Sequence, residues 1–234
     1  MIPQKSKARA AYNDAAFRML GTMLTLKRVL DVKTPFDFCN ALYSGRMVFL
    51  GEGNLSFAYA VASRLGGRAS RVIATTFEEG AVHDDETQAN ATKLRSLGAK
   101  VRFGVDAGRC DSEFLLGSVD LAVFQFPNVG SRRPLFRRNP NHILVKRFLK
   151  SVRNVLSKNG RVAITVVNSS HYDGAFAMDE VAAKSGFEKP VAHPFFMEDL
   201  SGYSHRKTKL DGKPAIENDD EFVTFVFKPK VRRS

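Results

Sequence analysis

The residues best suited to chemistry in this chain cluster around Gly51-Glu52-Gly53, which follows the apolar run Val48-Phe49-Leu50 and precedes Phe57, Val61 and Leu65 at helical spacing. A strand, a glycine turn and a helix in that order can wrap a nucleotide, because glycine bends sharply and puts no Cβ between backbone and ligand. The dinucleotide-binding pattern needs a third glycine at position 56, where Ser56 stands. That disfavours a nicotinamide site. Further along, Thr75-Thr76-Phe77-Glu78-Glu79 and Val105-Asp106-Ala107 each close an apolar run. A carboxylate after the second strand can accept both hydroxyls of a ribose, and a polar residue after the third can take an adenine amino group. Acids after strands are also ordinary helix-start residues held by the helix dipole. Several such strand ends in order nevertheless outline an adenosine.

Charge is the second concentration. Lysine and arginine total 36 against 24 acids, a net charge of +12, and from Leu121 to Tyr172 there is no acid at all. Such a block attracts polyanions and makes binding salt-dependent, which points to nucleic acid. Arg132, Arg133, Arg137 and Arg138 surround Pro134 and Phe136 in a loop and are the candidate nucleic-acid contacts, whereas Lys146 to Arg161 read as a solvated helix face. Two cysteines, Cys39 and Cys110, are too few for a disulfide framework. The five histidines, His83, His142, His171, His193 and His205, have no zinc spacing, so no metal is expected. No apolar run reaches the roughly 20 residues of a membrane span and no secretory signal is evident. The expected location is cytoplasmic.

Positioning these residues requires alternating elements. The pattern predicts strands at Arg71–Thr75, Val101–Phe103, Leu121–Phe126, Arg161–Val167 and Phe222–Phe227 besides the first. Helices are predicted at Glu86–Leu97, at Asn141–Leu156 with Asn159-Gly160 as its C-cap, and around Gly174–Lys184. Strands alternating with helices make an α/β fold with a mostly parallel sheet covered on both faces. Residues 1–45 differ: Tyr12, Ala16, Met19, Met23, Leu26 and Leu30 form one stripe of an amphipathic helix, an arm expected to dock on a core. The organisation expected is the arm over 1–45, one domain over 46–228 and a basic tail over 229–234.

Four segments then fall into register. Gly51-Glu52-Gly53-Asn54-Leu55-Ser56-Phe57, Phe103-Gly104-Val105-Asp106-Ala107, Phe126-Pro127-Asn128-Val129-Gly130 and Gly202-Tyr203-Ser204-His205-Arg206-Lys207-Thr208 resemble successive signatures of the Rossmann-like ribosomal RNA (uridine-N3)-methyltransferase family. Some members of that family carry a ferredoxin-fold anticodon-binding domain. The resemblance runs from about Arg46 to Phe227. It implies a class I methyltransferase sheet with an antiparallel C-terminal strand, S-adenosylmethionine as cofactor and RNA, expected to be ribosomal, as substrate. The cofactor would be held by Gly51, Glu52, Gly53, Asn54, Ser56, Phe57, Thr76, Glu78, Asp106 and Ala107. Gln125, Phe126, Pro127 and His205 would act at the base: Gln125 and the turn hold its edge, Phe126 or Phe136 stacks on it, and His205 accepts or orients a proton. Arg206 joins the RNA contacts. Two positions depart from the family pattern, Asn54 replacing aspartate and Gln125 replacing asparagine. The alternatives are a noncatalytic RNA-binding relative and, less favoured, a nicotinamide-dependent reductase.

Overall fold

A run of four apolar residues satisfies both faces of a strand only inside a covered sheet, and β1 (Met47–Leu50) is buried along its whole length. Met47 and Phe49 belong to one hydrophobic cluster and Val48 and Leu50 to the other, as alternation along a strand requires. The structure, a computed structural model, describes residues 16, 19–27, 32, 34–42, 45–130, 133, 135, 138–168, 176–205 and 221–231. Beside β1 lie β2 (Val72–Thr75) and β4 (Val119–Gln125), both parallel to it. With β3 (Lys100–Arg102), β5 (Leu156–Asn168), β6 (Val191–Phe195) and β7 (Glu221–Phe227), they form a sheet of order β3-β2-β1-β4-β5-β7-β6. Only β7 runs antiparallel, pairing so with both β5 and β6. The order of connection reverses between β1 and β4, so the carboxyl ends of those strands flank the crevice where open α/β sheets bind ligands.

Helices cover both faces. α1 (Ser56–Ala62) and α2 (Asp85–Ser96) supply Phe57, Val61 and Leu94 to one cluster. α3 (Cys110–Glu113), α4 (Pro140–Val155) and α5 (Met178–Lys184) supply Cys110, Phe148, Val152 and Val181 to the other. Full burial of a side chain such as Phe57 or Phe148 is worth about 2–3 kcal/mol. α2 starts where Asp84 accepts the Thr87 amide at 3.0 Å, and α4 where Asn139 accepts the Asn141 amide at 2.9 Å. Each cap contributes about 1 kcal/mol, and Pro140, needing no partner for an amide it lacks, opens α4.

Three expectations are corrected. α4 ends at Val155 and Leu156 is already extended, so Asn159-Gly160 does not cap it but lies within β5. Gly160 is needed for close approach instead: a Cβ there would stand 2.8 Å from the Val119 carbonyl oxygen. Strand β6 was not expected because Pro194 interrupts its pattern; it is tolerated at the sheet edge, where a missing amide costs no ladder bond. The arm's stripe is not buried where it is described: residues 19–27 are helical, but Met19 and Met23 are 66% and 64% exposed. Tyr12 and Leu30 lie outside the described residues. What does dock is the stretch after the helix, where Phe38 is buried edge-on against Phe57 at 5.2 Å.

Candidate functional site

The β1–α1 turn is built from the backbone outward. Gly51 has φ +63°, and a Cβ on it would lie 2.7 Å from the Phe124 ring, so the bend admits only glycine. Glu52 donates its amide to the Thr75 carbonyl at 2.9 Å and turns its carboxylate inward, accepting the Ala58 amide at 3.1 Å. Burial pushes that carboxyl up to about 7, against the pull of the Ala58 and Phe57 amides. Phe57 is core, surrounded edge-on by Phe38, Phe49 and Tyr203.

Asn54 and Ser56 join this turn to the loop at 202–205. Asn54 Nδ2 donates to Ser204 Oγ at 2.8 Å, to the Ser204 carbonyl at 3.1 Å and to Glu86 Oε1 at 3.2 Å. Ser56 Oγ lies 2.9 Å from the Ser204 carbonyl oxygen and accepts the Ser204 amide at 3.1 Å. Ser204 Oγ in turn donates to Glu86 Oε1 at 2.7 Å. Glu86, Tyr203 and Ser204 were not among the predicted site residues, and nothing local could have marked their roles, since Ser204 lies 150 positions from Asn54. The clasp delivers the next residue: His205 Nδ1 stands 3.0 Å from the Tyr203 hydroxyl, and its ring centroid is 4.6 Å from that of Phe126. Burial, with the Glu52 charge nearby, pushes the Tyr203 hydroxyl upward, so it keeps its proton.

The other strand ends meet the same edge of the sheet. Thr76 is buried, its hydroxyl 2.8 Å from both the Glu78 carbonyl and His83 Nε2, which fixes the turn after β2. The Glu78 side chain is exposed beyond it, next to Phe77 at 63% exposure. Asp106 caps the turn after β3 by accepting the Gly108 amide at 2.7 Å, and its second oxygen is 3.7 Å from Arg147 Nη2; Ala107 is buried.

At the end of β4, Gln125 is 9% exposed and neither its Nε2 nor its Oε1 has a hydrogen-bond partner among the described residues. A buried, unsatisfied amide atom costs about 1–3 kcal/mol, so two on one side chain set this position apart from the rest of the core. Phe126 follows with φ +47°, its amide donating to the Thr165 carbonyl at 2.9 Å and its ring edge-on to Phe195 and Phe222. A bulky residue held in the left-handed region stores about 1–3 kcal/mol of strain, and such positions cluster at sites. Pro127 is buried. The fold thus brings Gln125, Phe126 and His205 to one corner, while Glu52, Asn54, Ser56 and Phe57 have side chains engaged inside the protein.

Of the candidate RNA contacts, Arg132, Arg137 and Arg206, with Phe136, lie outside the described residues. Arg133 is exposed. Arg138 is committed differently: its two terminal nitrogens meet the Glu180 carboxylate at 3.0 and 2.9 Å, and Lys184 reaches the same carboxylate at 2.5 Å. These two cations hold the Glu180 carboxyl down at about 2. Among the described residues no three His, Cys, Asp or Glu side chains gather as metal ligands, and no helix is long and apolar enough to cross a membrane.

Comparison with known proteins adds the following. The family model described as BMT5-like, rRNA (uridine-N3-)-methyltransferase, matches residues 48–207. The ferredoxin-fold anticodon-binding domain-containing protein 1 homolog of Mus musculus is 29% identical over 183 residues, covering 72% of this chain and 29% of that protein. The corresponding Homo sapiens protein is 27% identical over 172 residues, covering 68% of this chain and 27% of its own length. The chain therefore spans less than a third of the length of these two relatives. Among solved structures, the PH0226 protein from Pyrococcus horikoshii OT3 superposes with a TM-score of 0.51 at 11% identity, covering 98% of this chain and 93% of that one. That likeness concerns the fold alone.

Proposed function

The chain belongs to the BMT5-like rRNA (uridine-N3-)-methyltransferase family, and on that premise we propose that it methylates N3 of a uridine in ribosomal RNA using S-adenosylmethionine, in the cytoplasm or, in a eukaryotic cell, the nucleolus. The observation that carries the assignment of the base site is the buried carboxamide of Gln125, without a hydrogen-bond partner among the described residues, at the switch point of the sheet.

The residues at the strand ends fit the cofactor. Glu78, exposed after β2, would accept the ribose hydroxyls, the Asp106-Ala107 turn would meet the adenine edge, and the backbone of Gly51-Glu52-Gly53 would line the methionine end. Glu52, Asn54 and Ser56 support this surface rather than touch the ligand, since their side chains are spent on α1 and on the 202–205 loop. When bound, S-adenosylmethionine supplies an electrophilic methyl carbon on its sulfonium.

Neutral uracil carries a proton on N3, between two carbonyl oxygens, and that proton must leave as the methyl arrives. Gln125 Nε2 would donate to one of those oxygens, where the negative charge collects. A donor placed at developing charge is worth about 10²–10³ in rate. His205, held by Tyr203 and set edge-on to Phe126, would take or relay the proton. The base must be unpaired or flipped to reach this corner. Incubating the full chain with ribosomal RNA and S-adenosylmethionine carrying a trideuterated methyl group, followed by nucleoside mass spectrometry, should yield labelled N3-methyluridine. Label on another nucleoside would overturn the uridine assignment. Affinity for NADH with none for S-adenosylmethionine would overturn the whole reading.

A further inference from the structure

α4 is a surface helix with no acidic residue: Pro140–Val155 contains Lys146, Arg147, Lys150 and Arg153 and no Asp or Glu. Helices that merely solvate their outer face interleave acids with bases at steps of three and four, each pair adding a few tenths of a kcal/mol. Here the cations collect instead. Lys146, Arg147 and Lys150 meet Arg138, His142 and Lys184 around a groove of about 310 Å³ between α4 and α5. Among the described residues only two carboxylates reach these cations. Glu180 is shared by Arg138 and Lys184, and Asp106 lies 3.7 Å from Arg147. Five cations against two carboxylates leave an excess of three positive charges, with neither lysine of α4 ion-paired to a described acid.

We propose that this groove is the track for the phosphate backbone of the RNA strand, with Lys146 and Lys150 contacting successive phosphates. The proposal rests on the RNA-methyltransferase reading and gives the substrate a path. Lys146 and Lys150 are one turn apart, about 6 Å along the helix, a step that suits neighbouring phosphates. Two contacts tie the helix that lines the groove to the strand ends. In the first turn of α4, Asn141 Oδ1 accepts the Val129 amide of the turn after Gln125 and Phe126 at 2.9 Å, and Arg147 lies 3.7 Å from Asp106, which follows β3. A strand followed along the groove to the amino end of α4 would therefore reach the turn after Gln125. Lysine contacts of this kind fix the position of a nucleic acid without reading its sequence.

The test is fluorescence anisotropy of an end-labelled single-stranded oligouridylate with the full chain, titrated over a series of salt concentrations. The double variant Lys146→Gln with Lys150→Gln removes two phosphate contacts. The salt slope should fall by about 1.4, at about 0.7 per contact on a single strand, and low-salt affinity should drop by about tenfold or more. A charge-matched control, Lys158→Gln with Arg161→Gln, removes the same charge from exposed positions at the amino end of β5 and should change affinity by less than about twofold. Equal losses in both doubles, or none in the first, would overturn the groove. Calorimetry with S-adenosylmethionine on the same samples separates the two readings. A protein that binds RNA through the groove but not the cofactor refutes the methyltransferase and leaves the groove standing. One that transfers methyl groups with Lys146 and Lys150 indifferent refutes the groove alone.

Discussion

Replacing Gln125 with leucine should make this protein more stable and inactive at once. The side chain is 9% exposed and both of its polar atoms lack partners among the described residues. Leucine is within about one methylene of its volume and needs no hydrogen bond, so Gln125→Leu removes two unsatisfied groups without leaving a large cavity. At about 1 kcal/mol for each group, the low end of the usual penalty, the gain is about 2 kcal/mol. For a chain of 234 residues, a change of 1 kcal/mol moves Tm by about 2–4 °C, so the variant should melt roughly 4–8 °C higher. Differential scanning calorimetry without ligand reads this directly. The same samples, assayed for methyl transfer to ribosomal RNA, should lose about 10²-fold or more in kcat, the usual cost of a missing donor at developing charge. Calorimetric affinity for S-adenosylmethionine should be unchanged. A lower Tm would mean that the carboxamide is satisfied and packed in the free protein. Retained transfer would mean that it does not meet the base. Either result refutes the reasoning.

Two further outcomes follow from the site's internal bonds. Glu52 has its carboxyl raised from 4.5 to about 7 by burial, so the folded state is favoured by its protonated form; that stability is fully present below about pH 4.5 and is lost as pH rises through about 7. Glu52→Gln keeps an acceptor for the Ala58 amide and removes the titration. Its Tm advantage over wild type should therefore grow between about pH 5 and about pH 8, toward a limit on the order of 3 kcal/mol, and an advantage independent of pH would show that the carboxyl is not held protonated. Asn54→Ala cuts the bonds to Ser204 and Glu86, which should cost about 1–3 kcal/mol and raise hydrogen exchange at residues 202–205. Unchanged exchange there would mean that the clasp does not hold the loop.

Local pattern carried a great deal of this. Val48-Phe49-Leu50 before Gly51, the alternation of apolar runs with helical spacing, and the strand-end residues Glu78, Asp106 and Gln125 are short-range features, so the α/β class, most elements and the edge that bears the site were legible. The four signatures in order made the family legible too. Where the pattern is interrupted, as at Pro194 in β6, or where one residue type serves two purposes, as at Gly160, the local signal misled.

The linear order of residues determined which groups this protein possesses and, through periodicity, which elements carry them. Only the tertiary structure decided which of those groups remain available. Glu52, Asn54 and Ser56 are polar side chains as Gln125 is, and Asn54 carries the same carboxamide, yet their partners come from α1 and from a loop up to 150 positions away, whereas the Gln125 carboxamide meets none among the described residues. Arg138 is bound to Glu180, 42 positions on, while Lys146 and Lys150 border an open groove. A hydrogen bond or ion pair depends on atoms within about 3–4 Å, and sequence separation does not encode that distance; folding sets it.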